Sequence, residues 1–187
     1  MRIKSGKTRR GYRGLLAVPV VLCLLFSMVS CRENEDFLDV FRAGFSAEIE
    51  GTLPELSFSG ELCAEPAEYR EDGTARPFCG TFTFYAPESL AGTRLSRDRE
   101  GALFLTAGEL TVPLSQDSDF AAIFALFPVA GNVRTAKVNG EGQTELTGDG
   151  FSLVFLSGGV PLSANTGNVS AKIVRFEATA SDGEGGK

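Results

Sequence analysis

The chain has 187 residues, of which 43% are hydrophobic and 22% charged, an ordinary balance for one folded domain. It contains no histidine and no tryptophan, which excludes Ser-His-Asp and Cys-His catalysis and histidine metal sites and weakens any sugar-stacking reading. The net charge of −6 hides an asymmetry: residues 1–30 carry six basic side chains and no acid, leaving twelve basic against twenty-four acidic residues from Cys31 onward. That acidic remainder offers no footprint for nucleic acid and argues against electrostatic docking of the protein surface to anionic lipid head groups.

Residues 1–13 are a positive n-region, and residues 14–30 are an apolar run without charge. Its length and flanks fit a signal peptide, with a retained membrane anchor as the alternative. Met28, Val29 and Ser30 lead into Cys31, and Arg32, Glu33, Asn34, Glu35 and Asp36 follow at once. This stretch resembles a bacterial lipobox. The resemblance implies that 1–30 is a lipoprotein signal peptide and that Cys31 is the lipid-attachment residue opening the mature chain. It further implies a lipidated tether over 31–43 and anchorage on the outer face of the bacterial cytoplasmic membrane. Stable attachment needs more than one acyl chain, and the diacylglyceryl group implied by the resemblance supplies two.

Phe37, Leu38 and Phe41 lie at helical spacing, so residues 32–43 read either as a short helix or as the tether. Alternation then begins. Phe45, Ala47, Ile49, Gly51 and Leu53 share one face; Leu56, Phe58, Gly60 and Leu62 repeat the pattern, and after a polar loop so do Phe78, Gly80, Phe82 and Phe84. These are half-buried strands of period two forming a meander whose apolar face needs a cover. Shorter strands are expected at Thr93–Arg97, Ala102–Thr106 and Glu109–Leu114. Over Ser118–Phe127 the period changes: Phe120, Ile123, Phe124 and Phe127 fall on one helical stripe, with Ser118 or Asp117 as cap and Pro128 beyond. Strands resume at Val133–Asn139, Gln143–Thr147, Phe151–Leu156, Val160–Ala164 and Val169–Ala178, separated by glycine-rich turns. Residues 179–187 read as a disordered tail.

Cys63 and Cys79 remain once Cys23 and Cys31 are assigned to the N-terminal segment. Both fall on the polar face of neighbouring strands, and their midpoint, Glu71, is one residue from the Asp72-Gly73 turn signal. A cross-strand disulfide is the favoured reading, worth about 3 kcal/mol for a loop of about 17 residues; free thiols are the alternative, and a metal site ranks behind both.

The order of six strands, a helix and five strands resembles the LolA/LolB-like half-barrel of bacterial lipoprotein and lipid carriers. The stretch Phe82-Thr83-Phe84-Tyr85-Ala86-Pro87-Glu88-Ser89-Leu90-Ala91-Gly92 carries the resemblance, followed by Gly108–Leu114 and the Phe120–Phe127 helix. It is similar in phrase to LolA-like lipoproteins of Gram-positive bacteria and spans residues 41–178 by architecture. The fold expected is therefore mainly β (α+β): a curved antiparallel half-barrel of ten or eleven strands over 44–178, covered by one short central helix. The resemblance implies an acyl-chain site between sheet and helix. Its lining residues would be Phe45, Ile49, Phe58, Leu62, Phe82, Phe84, Phe120, Ile123, Phe124, Phe127, Phe151 and Phe155. The same aromatics also suit a plain closed core. No cofactor, metal or catalytic residue is expected, because the carboxylates sit on polar faces and in loops and no phosphate-cradling loop opens a helix. The function expected is binding or shuttling of a lipid or acyl chain without chemistry. The alternative is a structural or protein-interaction envelope lipoprotein with a closed core and an envelope protein partner.

Overall fold

The computed structural model describes residues 36–129 and 133–179. The signal peptide, Cys31 and the tail beyond Thr179 lie outside the described residues. Among the described residues no helix is long and apolar enough to cross a membrane.

Eleven strands form one open antiparallel sheet. In chain order they are β1 (Phe45–Leu53), β2 (Leu56–Ala64), β3 (Gly80–Ala86), β4 (Arg94–Arg97), β5 (Leu103–Ala107), β6 (Leu110–Leu114), β7 (Val133–Val138), β8 (Thr144–Gly148), β9 (Phe151–Phe155), β10 (Pro161–Thr166) and β11 (Val169–Ala178). Turns, and one long loop between β2 and β3, make sequence neighbours into sheet neighbours. The spatial order β6-β5-β4-β3-β2-β1-β11-β10-β9-β8-β7 is two meanders joined where the first strand pairs with the last. Because β6 and β7 are the free edges, the sheet is not closed, an arrangement consistent with a half-barrel.

Alternation decides which face is covered. Phe45, Ala47 and Ile49 are buried on β1, Phe58, Gly60 and Leu62 on β2, Gly80, Phe82 and Phe84 on β3, and Phe151, Leu153 and Phe155 on β9. The connection from β6 to β7 links the two opposite edges of the sheet. It carries a helix, α2 (Ala121–Ala125), with Ile123 and Phe124 buried.

One helical reading is open in the sequence and another changes. Within residues 31–43, expected as a lipidated tether with a short helix over 32–43 as the other reading, Asp36–Arg42 form a helix, α1, that belongs to the fold. Leu38 and Phe41 are fully buried in the same core as the strands. Arg42 Nε donates to the Val129 carbonyl at 2.9 Å and its guanidinium pairs with Asp39. A solvated tether would leave those apolar side chains in water, and burial outweighs that alternative. Among the described residues the sheet therefore has two short helices against its core rather than one. The central helix is also shorter than Ser118–Phe127. Ala121 N bonds the Ser118 carbonyl at 2.9 Å and Ala122 N that of Asp119 at 3.1 Å, the tighter i→i+3 pattern, so its first turn is not α-helical. Neither Ser118 nor Asp117 caps it through a side chain.

The expected Cys63–Cys79 disulfide is corrected: both thiols are free. The β2–β3 hairpin is centred on Asp72 rather than Glu71. Cys63 faces Thr81, Glu65 N bonds the Cys79 carbonyl, and Tyr69 bridges Ala75. Asp72 fixes this centre by accepting from Thr74 N and Thr74 Oγ1 at 2.9 and 2.6 Å. The two cysteines share a face but stand diagonally, where Cα atoms are roughly 7–8 Å apart in a sheet, beyond the usual disulfide span.

Candidate functional site

The twelve residues expected to line an acyl-chain cavity do gather on the covered face, but as a packed interior. Eleven of them are buried, and Phe120 is half-buried. Their rings touch one another. Phe82 lies 4.8 Å from Phe84 and 5.7 Å from Phe58, and Phe84 lies 5.8 Å from Phe120, centroid to centroid. A second ring cluster surrounds Phe41 of α1, at 5.6 Å from Phe45, 5.4 Å from Phe127 and 6.0 Å from Phe155. Such edge-to-face and tilted contacts fill space as a core does. Phe41 and Phe176 complete this cluster, although alternation and helical spacing did not mark either as a site residue.

Open space lies instead at the rim, where α2 meets the β4–β5 end of the sheet. A groove of about 590 Å³ is walled by Ala121, Ala122 and Ala125 of α2 and by Leu103 of β5, with Pro77, Arg97, Gln116 and Ser118 among its other walls. This volume is ordinary for a small-ligand site. A second cavity of about 320 Å³ lies on the other side of the same wall, bounded by Phe78, Phe124, Phe127 and Phe151. Pro77, Arg97 and Ala125 border both. Of the twelve expected lining residues, Phe124, Phe127 and Phe151 border this cavity, and Phe120 is partly exposed.

Arg97 is the polar residue of this region that sequence reasoning missed. It sits two residues after the buried Leu95 on β4, hence on the covered face, opposite Gly80 of β3. The guanidinium lies 5.9 Å from the Phe78 ring centroid and 5.7 Å from that of Phe124, in cation–π range. Burial pushes its pKa down from the ordinary guanidinium value, though the group stays charged. Ser118 adds a second polar element: its hydroxyl is buried and finds no hydrogen-bond partner among the described residues. The parity of Leu95 and Arg97 in the sequence was the available signal.

The opposite, polar face carries its own cluster. Glu61 accepts from Ser46 Oγ at 2.8 Å, from Tyr85 OH at 3.0 Å and from the Arg175 guanidinium at 3.4 Å. These donors, Ser46 first, hold the Glu61 carboxyl below its usual pKa. The cluster ties β1, β2, β3 and β11 together at the centre of the sheet. Among the described residues no group of three or more Cys, Asp or Glu is placed to hold a metal ion.

No family model matches the sequence, and no curated protein matches it. Several solved structures follow a similar chain course. A conserved protein of Thermus thermophilus is 16% identical, over 80% of this chain and 88% of its own, with a TM-score of 0.48. A LolA superfamily protein of Nitrosomonas europaea is 8% identical, over 80% of this chain and 93% of its own, with a TM-score of 0.38. MucB is 14% identical, over 80% of this chain and 60% of its own, with a TM-score of 0.40. At that distance function has to be argued from this chain's own residues.

Proposed function

We propose that this protein is a lipid-anchored, extracytoplasmic binding protein of the bacterial envelope that holds a lipid or acyl chain and performs no chemistry on it. The observation that carries the reading is the groove of about 590 Å³ beside α2, with one wall of alanine, leucine and proline and a polar wall that includes Arg97, Glu100, Asp117 and Asn168. The sheet's core is already filled by its own phenylalanines, so this groove is surplus to the needs of folding. A chain laid along it would bury apolar surface at roughly 25 cal/mol per Å² without displacing a core side chain. Helix α2 is the natural cover, since it forms one wall of the groove. Anchorage through Cys31 on the outer face of the cytoplasmic membrane rests on the basic n-region, the apolar run and the lipobox-like approach to that cysteine.

One observation favours a second reading, a protein partner. On the edge strand β6, Leu110 and Val112 stand 66% and 43% exposed. They continue the apolar face of β5 through the pairs Ala107–Leu110 and Leu105–Val112. Apolar side chains on a free edge are the usual material of a docking surface.

The test is to purify the full chain from membranes and measure its intact mass and its non-covalent lipid content by mass spectrometry. A mass shift on the peptide beginning at Cys31 and a stoichiometric extracted lipid are expected. A clean, unlipidated chain would overturn the reading and turn attention to the β6 edge.

A further inference from the structure

We propose that the groove beside α2 takes an anionic amphiphile, with Arg97 holding its carboxylate or phosphate head group while the chain lies along Ala121, Ala125 and Leu103. This rests on the lipid-binding reading above and narrows its ligand class.

The charge state of Arg97 sets it apart. Arg42, Arg76, Arg99, Arg134 and Arg175 each pair with a carboxylate. Of the arginines without such a partner among the described residues, Arg70 and Arg94 are exposed to water. Arg97 alone is half-buried, on the apolar side of the sheet and beside the touching Phe78 and Phe124 rings, with no carboxylate within ion-pair distance among the described residues. A cation held there has lost part of its hydration, and ring faces return only a fraction of that loss. The nearest acid in sequence, Asp98, is committed elsewhere: its Oδ1 accepts from the amides of Glu100 and Ala102 at 3.0 and 2.8 Å. Asp149, on the smaller cavity, pairs with Arg134. Glu100 and Asp117 border the groove but make no ion pair with Arg97.

The planar guanidinium has five donors and a fork that matches a carboxylate or phosphate. Its stem and both neighbouring rings are apolar, and the two cavities meet at its position. Ser118 lines the same groove, and its buried hydroxyl has no hydrogen-bond partner among the described residues. An amphiphile with one negative end satisfies the cation and fills the apolar wall at once. A neutral lipid would leave Arg97 as it is, and a cationic one would oppose it.

The experiment is photolabelling of the full chain, purified in a maltoside detergent, with palmitate carrying a diazirine on its chain. Palmitate, hexadecyl phosphate and hexadecanol serve as competitors, and the adduct is located by peptide mass spectrometry. Adducts on the peptides of α2 or β5 are expected. Palmitate or hexadecyl phosphate should compete about tenfold or more better than hexadecanol, the scale of a hydrogen bond to a charged group. The better of the two anions separates a fatty-acid ligand from a phosphate-headed one. In Arg97→Met, which keeps an apolar stem, the preference for anions should vanish while hexadecanol competes as before. Arg97→Lys should retain part of it. Equal competition by all three in the unmodified chain overturns this inference but leaves lipid binding standing. A preference that survives Arg97→Met also overturns it. No labelling at all overturns the lipid-binding reading as well.

Discussion

Replacing Phe82 by alanine asks directly whether the aromatic interior is core or ligand lining. Phe82 is fully buried at the centre of β3, with Phe84 at 4.8 Å and Phe58 at 5.7 Å. Its ring also covers Gly60 of β2, where an added Cβ would lie 2.5 Å from Phe82 Cζ. The site is flanked by sheet backbone and two other rings, so it has little freedom to collapse. Truncation of a buried phenylalanine costs about 3–5 kcal/mol, a large share of the roughly 5–15 kcal/mol that holds a domain together. Urea unfolding of a soluble chain beginning after Cys31, followed by far-ultraviolet circular dichroism, would read this as a lowered midpoint with an unchanged slope. Lipid content per folded molecule should stay the same. A loss under about 1 kcal/mol accompanied by lost lipid uptake would refute the packed-core account, and would return the ligand to the interior between sheet and helix.

Three further outcomes follow from particular contacts. Gly60→Ala would set a Cβ 2.2 Å from the Thr83 carbonyl oxygen, backbone that cannot rotate away. It should cost about 3 kcal/mol, the top of the usual range for overpacking, whereas Gly140→Ala, with nothing within 4 Å, should stay within about 0.5 kcal/mol; equal midpoints for the two variants would contradict the close approach of β2 and β3. The Glu61 carboxyl is held below its ordinary 4.5 by Ser46, Tyr85 and Arg175. A depressed folded pKa stabilises the fold above the unfolded value and is lost as pH falls through the folded one. Wild type should therefore exceed Glu61→Gln in stability at neutral pH, and the gap should close below about pH 4.5; a gap independent of pH would show that the hydrogen bonds do not depend on the charge. Cys63 is exposed, while burial, with Glu65 nearby, raises the Cys79 thiol pKa. Maleimide should label Cys63 faster than Cys79 without prior reduction, and labelling of neither before reduction would restore the disulfide.

The strands were legible because a sheet with one covered face writes a period of two into the sequence. Phe45-Ala47-Ile49, Phe58-Gly60-Leu62 and Phe151-Leu153-Phe155 each state their inward face without any help from the partner strand. The edge strands β6 and β7 are almost wholly exposed. They were found through glycine turns and their neighbours rather than through alternation. The hairpin centre was one residue off because the loop between β2 and β3 is long, and the Asp72–Thr74 hydrogen bonds that set it are a local choice among several polar residues. A one-residue shift of centre moves each pairing by two, which preserves the face and forfeits the disulfide. Arg97 was legible only in hindsight, since β4 has four residues and a single buried position to fix its phase.

By itself the sequence determined the strand count to within one, the inward face of each long strand, the mid-chain helical stripe and the acidic character of the domain, because each of these depends on local periodicity or on composition. The pairing of β1 with β11, which joins two meanders into one sheet, came only from tertiary structure, as did the placement of α1 in the core. No turn links those elements, so nothing local specifies the contact. Tertiary structure also decided that the phenylalanine face is filled and that open space lies beside α2. Periodicity says which side a ring points to, but whether rings meet or leave a gap depends on how far apart the sheet and its two helices settle, a distance set by every side chain between them at once.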